Sequence, residues 1–415
     1  MQKLNLIKTS MAVTVLFVIG SCNKNAPNSA ITQAGTPKSE TTEMISESGT
    51  NPDEASITEN LSNTISMLNS GVRSAKDAGH FLYTESNSSD GNTILSYQIK
   101  QNGTLQRNGS TASGGIGTGS GLGSQGALVI DNSHHWLFAV NAGSNSVSSF
   151  KINEDGSLTL SHTVASGGNT PNSVTVSGNL LYVLNHGSDA IHGFKIETGG
   201  TLIEIAGSTQ SLSSTRVDAP EISFTPDGRL IVVTEKATNK ITTFKIKNDG
   251  SVGEGIFTSS VGQTPFGFDF SRDQFMIVSN AVGGAMEAGS ASSYIIGNKE
   301  IPVPINGAVP DLQTAPCWFA TTKYGRFAYT TNAHANTISS YYVAPWGSLY
   351  LIKSIAATTG LSPLDIKVAA NNYYIYELNA ASKTIGEYYR KFLGELGYIG
   401  SVSGLPASAT GLATY

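Results

Sequence analysis

The sequence predicts an all-β fold: a seven-bladed β-propeller of four-stranded blades, behind a short N-terminal address and a spacer. Three observations predict it. Seven units repeat along the chain, a proline recurs once in most of them, and the repeat starts and ends out of phase.

The repeat begins near residue 80. FAVNAGSNSVSSFKI (138–152), YVLNHGSDAIHGFKI (182–196), VVTEKATNKITTFKI (232–246) and YTTNAHANTISSYYV (329–343) share one pattern. An apolar run meets a polar turn, then a second alternating run ends in an aromatic residue. YTESNSSDGNTILSYQI (83–99), IVSNAVGGAMEAGSASSYII (277–296) and IYELNAASKTIGEYY (375–389) complete the set. The aromatics are Tyr97, Phe150, Phe194, Phe244, Tyr294, Tyr341 and Tyr388, a period of about 48 residues. A period of that size, with alternation of period two inside each run, predicts blades of strands. The prolines are Pro171, Pro220, Pro265, Pro316, Pro363 and Pro406. Proline donates no N–H, so it fits the first residue of a strand and opens an innermost strand here. Each unit then holds four strands, A to D, counted outward from the axis.

The ends differ. The first unit, from Phe81, lacks an A strand, while Pro406 opens PASATGLATY with no B, C or D strand after it. The C-terminal segment 406–413 is therefore expected to pair beside 81–86 and close the ring.

Ahead of the ring, Lys3 and Lys8 form a positive n-region before Met11–Gly20, an apolar stretch too short to span a bilayer. It ends in Ile19-Gly20-Ser21-Cys22, which resembles the lipobox of bacterial lipoproteins. Residues 1–21 are expected to be a signal peptide, with Cys22 carrying lipid and holding the chain to a membrane in the cell envelope. Residues 22–79 read as a flexible tether: 23–79 are rich in Ser, Thr, Asn and Glu and hold no aromatic. A helix-like spacing of Ile57, Leu61, Ile65 and Leu68 interrupts them. Residues 80–415 form the propeller.

Composition narrows the function. Charged residues are 13% of the chain and the net charge is −5 with no basic cluster, which argues against nucleic acid as a partner. Two cysteines, Cys22 and Cys317, exclude a disulfide scaffold and a cysteine metal cluster. GLGSQG (121–126) matches a dinucleotide-binding pattern, but it leads into the strand-like ALVI rather than a helix. No metal-binding motif stands out, and no cofactor is expected. The expected partners are a small-molecule substrate or surface ligand, and the chain is expected to be a monomer.

NAGSNSVSSF (141–150), FTPDGRLIVVTEKATNKITTF (224–244), TPFGFDF (264–270), APCWFATTKYGRFAYTTN (315–332) and SGLPASATGLA (403–413) carry a family likeness. On them the chain resembles the seven-bladed lactonase-like propellers, among them 6-phosphogluconolactonases and 3-carboxymuconate-lactonizing enzymes. The resemblance implies acid/base and anion-binding groups near one face. The family's Pro-His at an A-strand entry reads Pro220-Glu221 here, and Asn332-Ala333-His334 stands where a late turn often carries arginine.

With strand A running down the axis, the D–A and B–C loops share one rim, the upper one. Glu221 and Glu235 are the candidate catalytic carboxylates, with Arg216 for an anion. Asp218, Lys236, His186, His334, Cys317 and Asp365 are candidate substrate contacts, and Glu377 lies on the same rim. A lactone-opening site needs a group that activates water and a donor for the oxyanion. The expected function is therefore action on a small lactone or carboxylate. The alternatives are a non-catalytic surface propeller binding a ligand or protein, and an envelope scaffold.

Overall fold

The computed structural model describes residues 80–272, 274–297 and 300–415. The expected signal peptide, Cys22, the expected tether and the helix-like spacing within it lie outside the described residues. Seven antiparallel sheets follow one another around an axis, six with four strands and one with five. The ring is therefore the predicted one, and the seven repeat aromatics are all buried between blades.

The first blade contains Phe81–Glu85, Thr93–Ile99 and Leu105–Ala112, and its innermost strand is Thr410–Thr414 from the far end of the chain. Leu82 pairs with Thr414 and Glu85 with Thr410. Closure is as expected, except that Pro406 sits in a turn ahead of the strand rather than at its start. The other inner strands are Leu128–Ile130, Pro171–Ser177, Glu221–Phe224, Pro265–Ser271, Pro316–Thr321 and Pro363–Val368. They belong to blades two to seven. In blade three the outer strand is broken: Leu202–Glu204 and Gln210–Ser211 both pair with Ala190–Ile196.

Adjacent blades are clasped at the lower rim by a repeated contact. Tyr83, Tyr182 and Tyr376 each donate a hydroxyl hydrogen bond to a turn carbonyl of the following blade: Gly156 at 3.0 Å, Gly250 at 2.7 Å and Gly103 at 2.9 Å. These turn glycines have φ of 74°, 88° and 83°, a left-handed conformation that a side chain would strain. Buried tyrosine hydroxyls need such acceptors, and the contact ties blade to blade without a covalent link.

The glycine-rich loop 113–126 crosses the upper mouth of the ring. A Cβ at Gly121 would lie 3.8 Å from Leu364 of blade seven. The loop then turns inward. Gln125 spans the axis, donating from Nε2 to the Phe319 carbonyl at 2.9 Å and accepting from the Phe319 N–H at 2.8 Å. Trp318 Nε1 donates to the Ser124 carbonyl at 2.7 Å. Blade two is thereby bonded to blade six across the channel. GLGSQG is a plug, not a phosphate cradle.

Candidate functional site

The expected carboxylate pair is not one cluster. Glu221 pairs in register with Thr234, so Glu235, one residue on, points to the opposite face of the blade. Glu235 occupies the last B-strand position, where blades two, three, five, six and seven have Asn141, Asn185, Asn280, Asn332 and Asn379. Its carboxylate accepts hydrogen bonds from Ser213 N–H at 3.1 Å, Thr242 Oγ1 at 2.5 Å, Thr238 Oγ1 at 2.6 Å and the Ser213 hydroxyl. Such a saturated acceptor ties the D–A loop to its blade.

Glu221 faces inward and accepts from the Phe268 N–H at 2.6 Å. It joins a charge cluster across the channel with Asp269, Asp365 and Lys367. Burial pushes the carboxyls of Glu221, Asp269 and Asp365 up, and Lys367 pulls each partly back. Burial also works against the charge on Lys367, but Asp365, Asp269 and Glu221 outweigh it and raise its pKa. Blades four and seven are not neighbours, so this coupling runs through the centre of the ring. Asp365 was expected as a rim contact; instead it is fully buried, accepting from Leu412 N–H at 2.8 Å. The cluster couples the walls of the channel beneath the plug.

A different group converges at the upper rim. His186 follows the B strand of blade three, Asp218 lies in the loop to blade four, and Lys236 follows the B strand of blade four. Lys236 Nζ is 3.1 Å from Asp218 Oδ1, and His186 Nδ1 is 3.9 Å from the same oxygen. The loop is fixed from both sides. Asp189 accepts from Arg216 N–H at 2.6 Å and Val217 N–H at 3.1 Å, and the Val217 side chain is fully buried. Arg216 and Asp218 have φ of 58° and 54°. Two left-handed residues thus bracket one anchored valine and turn the loop sharply on either side of it.

Lys236 lies over the Phe266 ring, 4.8 Å from its centre, and Phe266 packs on Trp318 at 4.9 Å. The ammonium is thus nearly buried on an aromatic floor, while Asp218 and His186 remain about a third exposed. The arrangement offers an imidazole beside a carboxylate, with a cation 3.1 Å from that carboxylate. Arg216 is exposed two residues along the loop. His334 is exposed on a blade-six turn, and Cys317 is fully buried in the core near Trp318; neither joins this group.

Among the described residues no group of three or more His, Cys, Asp and Glu side chains is placed to hold a metal ion. Sequence reasoning missed Asp269 and Lys367. Part of the signal was present: with the inner strands aligned on their prolines, Asp269 and Lys367 both stand at the fourth residue after the proline.

The family described as "Lactonase, 7-bladed beta-propeller" matches residues 116–217 and 201–288. None of the curated proteins compared with the chain matches it. Among solved structures, a Bacteroides fragilis protein provisionally named a 6-phosphogluconolactonase superposes with a TM-score of 0.68 at 16% identity, covering 82% of this chain and 99% of its own. A periplasmic gluconolactonase of Pseudomonas aeruginosa superposes at 0.65 with 15% identity, covering 81% and 98%. A Lactobacillus plantarum protein reaches 0.67 at 18% identity, covering 81% and 99%. At such identities the likeness is one of fold.

Proposed function

The chain is a seven-bladed propeller resembling the lactonase family, and from that premise we propose that it opens a small lactone at the upper rim. One observation carries the reading: His186 and Lys236, from neighbouring blades, meet on the Asp218 carboxylate over an aromatic floor.

The Asp218 carboxylate lies 3.9 Å from His186 Nδ1 and favours a positive imidazole there, so the imidazole takes a proton from water. The hydroxide adds to the lactone carbonyl, and the Lys236 ammonium faces the oxyanion that forms. Collapse breaks the ring C–O bond, and the ring oxygen takes the proton back from His186. The products are an alcohol and a carboxylic acid on one molecule, and the acid gives its proton to solvent; no reactant other than water is needed. Arg216 suits an acidic substituent, so the substrate class is a small lactone bearing a carboxylate or phosphate. The chain acts as a monomer in the cell envelope, held there through Cys22; the lipobox-like residues support this part.

The test is hydrolysis of D-glucono-1,5-lactone and 6-phosphogluconolactone by the purified chain, followed by proton release. Turnover should fall at least a hundredfold in His186→Ala and in Lys236→Met. Arg216→Ala should raise KM for the phosphorylated lactone more than for the neutral one. Absence of turnover with either lactone, or full activity in both variants, refutes the proposal. Binding of the lactones without turnover would favour a ligand-binding propeller.

A further inference from the structure

The turns at the lower rim are built alike, but two blades load them differently. Between strands C and D the first residue of the turn donates its N–H to the fifth residue's carbonyl, and the fourth, a glycine, donates to the first. KQNGT (100–104), NEDGS (153–157), ETGGT (197–201) and KNDGS (247–251) close this way in blades one to four. APWGS (344–348) and KFLGE (391–395) close by the same two bonds in blades six and seven. The second and third residues take no part in either bond, so the backbone leaves them free to vary. In blades one to four they are small or polar; in blades six and seven they are Pro345-Trp346 and Phe392-Leu393.

The turn between strands A and B repeats the exchange. TPDGR (225–229) in blade four and TKYGR (322–326) in blade six share their backbone bonds, Gly228 donating to Thr225 and Gly325 to Thr322. In blade four Asp227 accepts from Thr225 Oγ1 at 2.7 Å and from Arg229 N–H at 3.1 Å. Tyr324 stands at that position in blade six. Tyr324, Trp346, Phe392 and Leu393 are between 63% and 74% exposed. The polar turns fold equally well, so the fold does not account for four exposed apolar tips in two adjoining blades. The blade-seven turn rests on blade six: a Cβ at Gly394 would lie 2.6 Å from the Phe327 ring, and Phe327 directly follows the Tyr324 turn. Lys323, Arg326 and Lys391 stand exposed among the tips. The acid of these three turns, Glu395, is already paired with Lys353 at 3.2 Å.

The chain itself points to what covers this patch. A Cβ at Gly156, in the blade-two turn, would lie 2.1 Å from the Phe81 ring, so the first strand begins at the lower rim. Phe81 opens blade one, which adjoins blade seven through the Tyr376–Gly103 bond. The segment that carries Cys22 therefore joins the propeller on the face that carries the patch. Tryptophan and tyrosine favour the head-group level of a bilayer, and lysine and arginine are drawn to acidic lipid. Apolar tips on protruding turns with cations beside them match that layering.

We propose that the lower rim of blades six and seven docks on a phospholipid bilayer surface rich in acidic head groups. Trp346, Phe392 and Leu393 enter the head-group layer, Tyr324 lies beside them, and Lys323, Arg326 and Lys391 meet the phosphates. The contact is weak and salt-sensitive: it orients the ring, while a lipid on Cys22 would hold it. Docked in this way, the upper rim with His186 and Lys236 faces away from the membrane. The proposal stands apart from the lactone chemistry, which needs no membrane.

The experiment is tryptophan quenching of the full-length protein by vesicles of brominated phosphatidylethanolamine and phosphatidylglycerol, with brominated phosphatidylcholine as the neutral comparison. The chain has three tryptophans, and none lies in residues 1–79, so an anchored N-terminus gives no signal by itself. Trp318 is buried and Trp136 is half-buried against Gly200, so the quenched residue is Trp346. Acidic vesicles should quench it, and neutral vesicles or high salt should cut the quenching at least twofold. Phe392→Asn/Leu393→Asp gives blade seven the tip residues of blade four, so it should keep a cooperative melt and lower the quenching at least threefold. If that variant fails to fold, Lys323→Gln/Lys391→Gln, changed only at exposed cations, decides by the same loss. Absence of quenching, equal quenching by neutral and acidic vesicles, or undiminished quenching in the variants would overturn the proposal. So would a concentration-dependent dimer that Phe392→Asn/Leu393→Asp dissolves, which would assign the face to a second copy of the chain.

Discussion

Replacing Glu377 by glutamine should stabilise the protein, and by an amount that depends on pH. In the folded chain the carboxyl titrates near 8, pushed up by burial, against an ordinary value of 4.5. Its folded pKa is the higher one. The stability it contributes is therefore complete below pH 4.5 and lost as pH rises through 8. Between those values the unfolded chain sheds a proton that the folded chain keeps, so wild-type stability falls by about 1.4 kcal/mol per pH unit from this group alone. Glutamine has nearly the same shape and does not ionise. Relative to wild type, Glu377→Gln should gain little at pH 4 and about 3 kcal/mol at pH 7. The gain should level off near 5 kcal/mol above pH 8. All other titrating groups are common to both proteins and cancel in the difference. Urea unfolding of the two proteins at one-unit steps from pH 4 to pH 9 measures it. Parallel stability curves, or a variant that is less stable at pH 8, would refute the reasoning.

Lys367→Met leaves Glu221, Asp269 and Asp365 without their cation, so about 3–5 kcal/mol should be lost at neutral pH. The loss should shrink in acid, where the carboxyls protonate. Gly267→Ala should cost about 1–3 kcal/mol, because its Cβ would meet Gln125 and lie 2.6 Å from the Cys317 carbonyl oxygen; thermal melts read it directly. Deleting residues 410–415 bares the paired edge of Phe81–Glu85 and should turn a monodisperse protein into aggregates on size-exclusion chromatography. Cys22→Ser should move the protein from the membrane pellet to the soluble fraction of a bacterial host; retention through a high-salt wash would exclude a lipid anchor.

The ring was legible because its signals are local and repeated. An aromatic every 48 or so residues and a proline before most inner strands each report a single blade's interior, and seven readings reinforce one another. Closure was legible from phase alone. The site was legible only in part. His186, Asp218 and Lys236 were on the expected rim, but their convergence depends on the loop pinned by Asp189, which no periodicity encodes. Glu235 looked catalytic because a carboxylate ending a strand reads the same whether it faces solvent or four donors. Lys367 and Asp269 went unnoticed because their partners lie across the axis, in blades distant in sequence. The plug escaped for the same reason: Gln125 and Phe319 are 194 positions apart.

Closure by the last strand also sets a clock. Thr84 and Thr410, which share a hydrogen bond at 3.2 Å, are 326 positions apart. Joining ends at that separation costs about 5 kcal/mol of chain entropy before any pairing repays it. At ribosomal speed the first strand waits roughly 16–65 s for its partner to be made. The other six sheets can form in order behind it, each from contiguous sequence, but the ring cannot. For that interval the nascent chain is an open crescent, and whatever shields its first edge decides how much of the product survives.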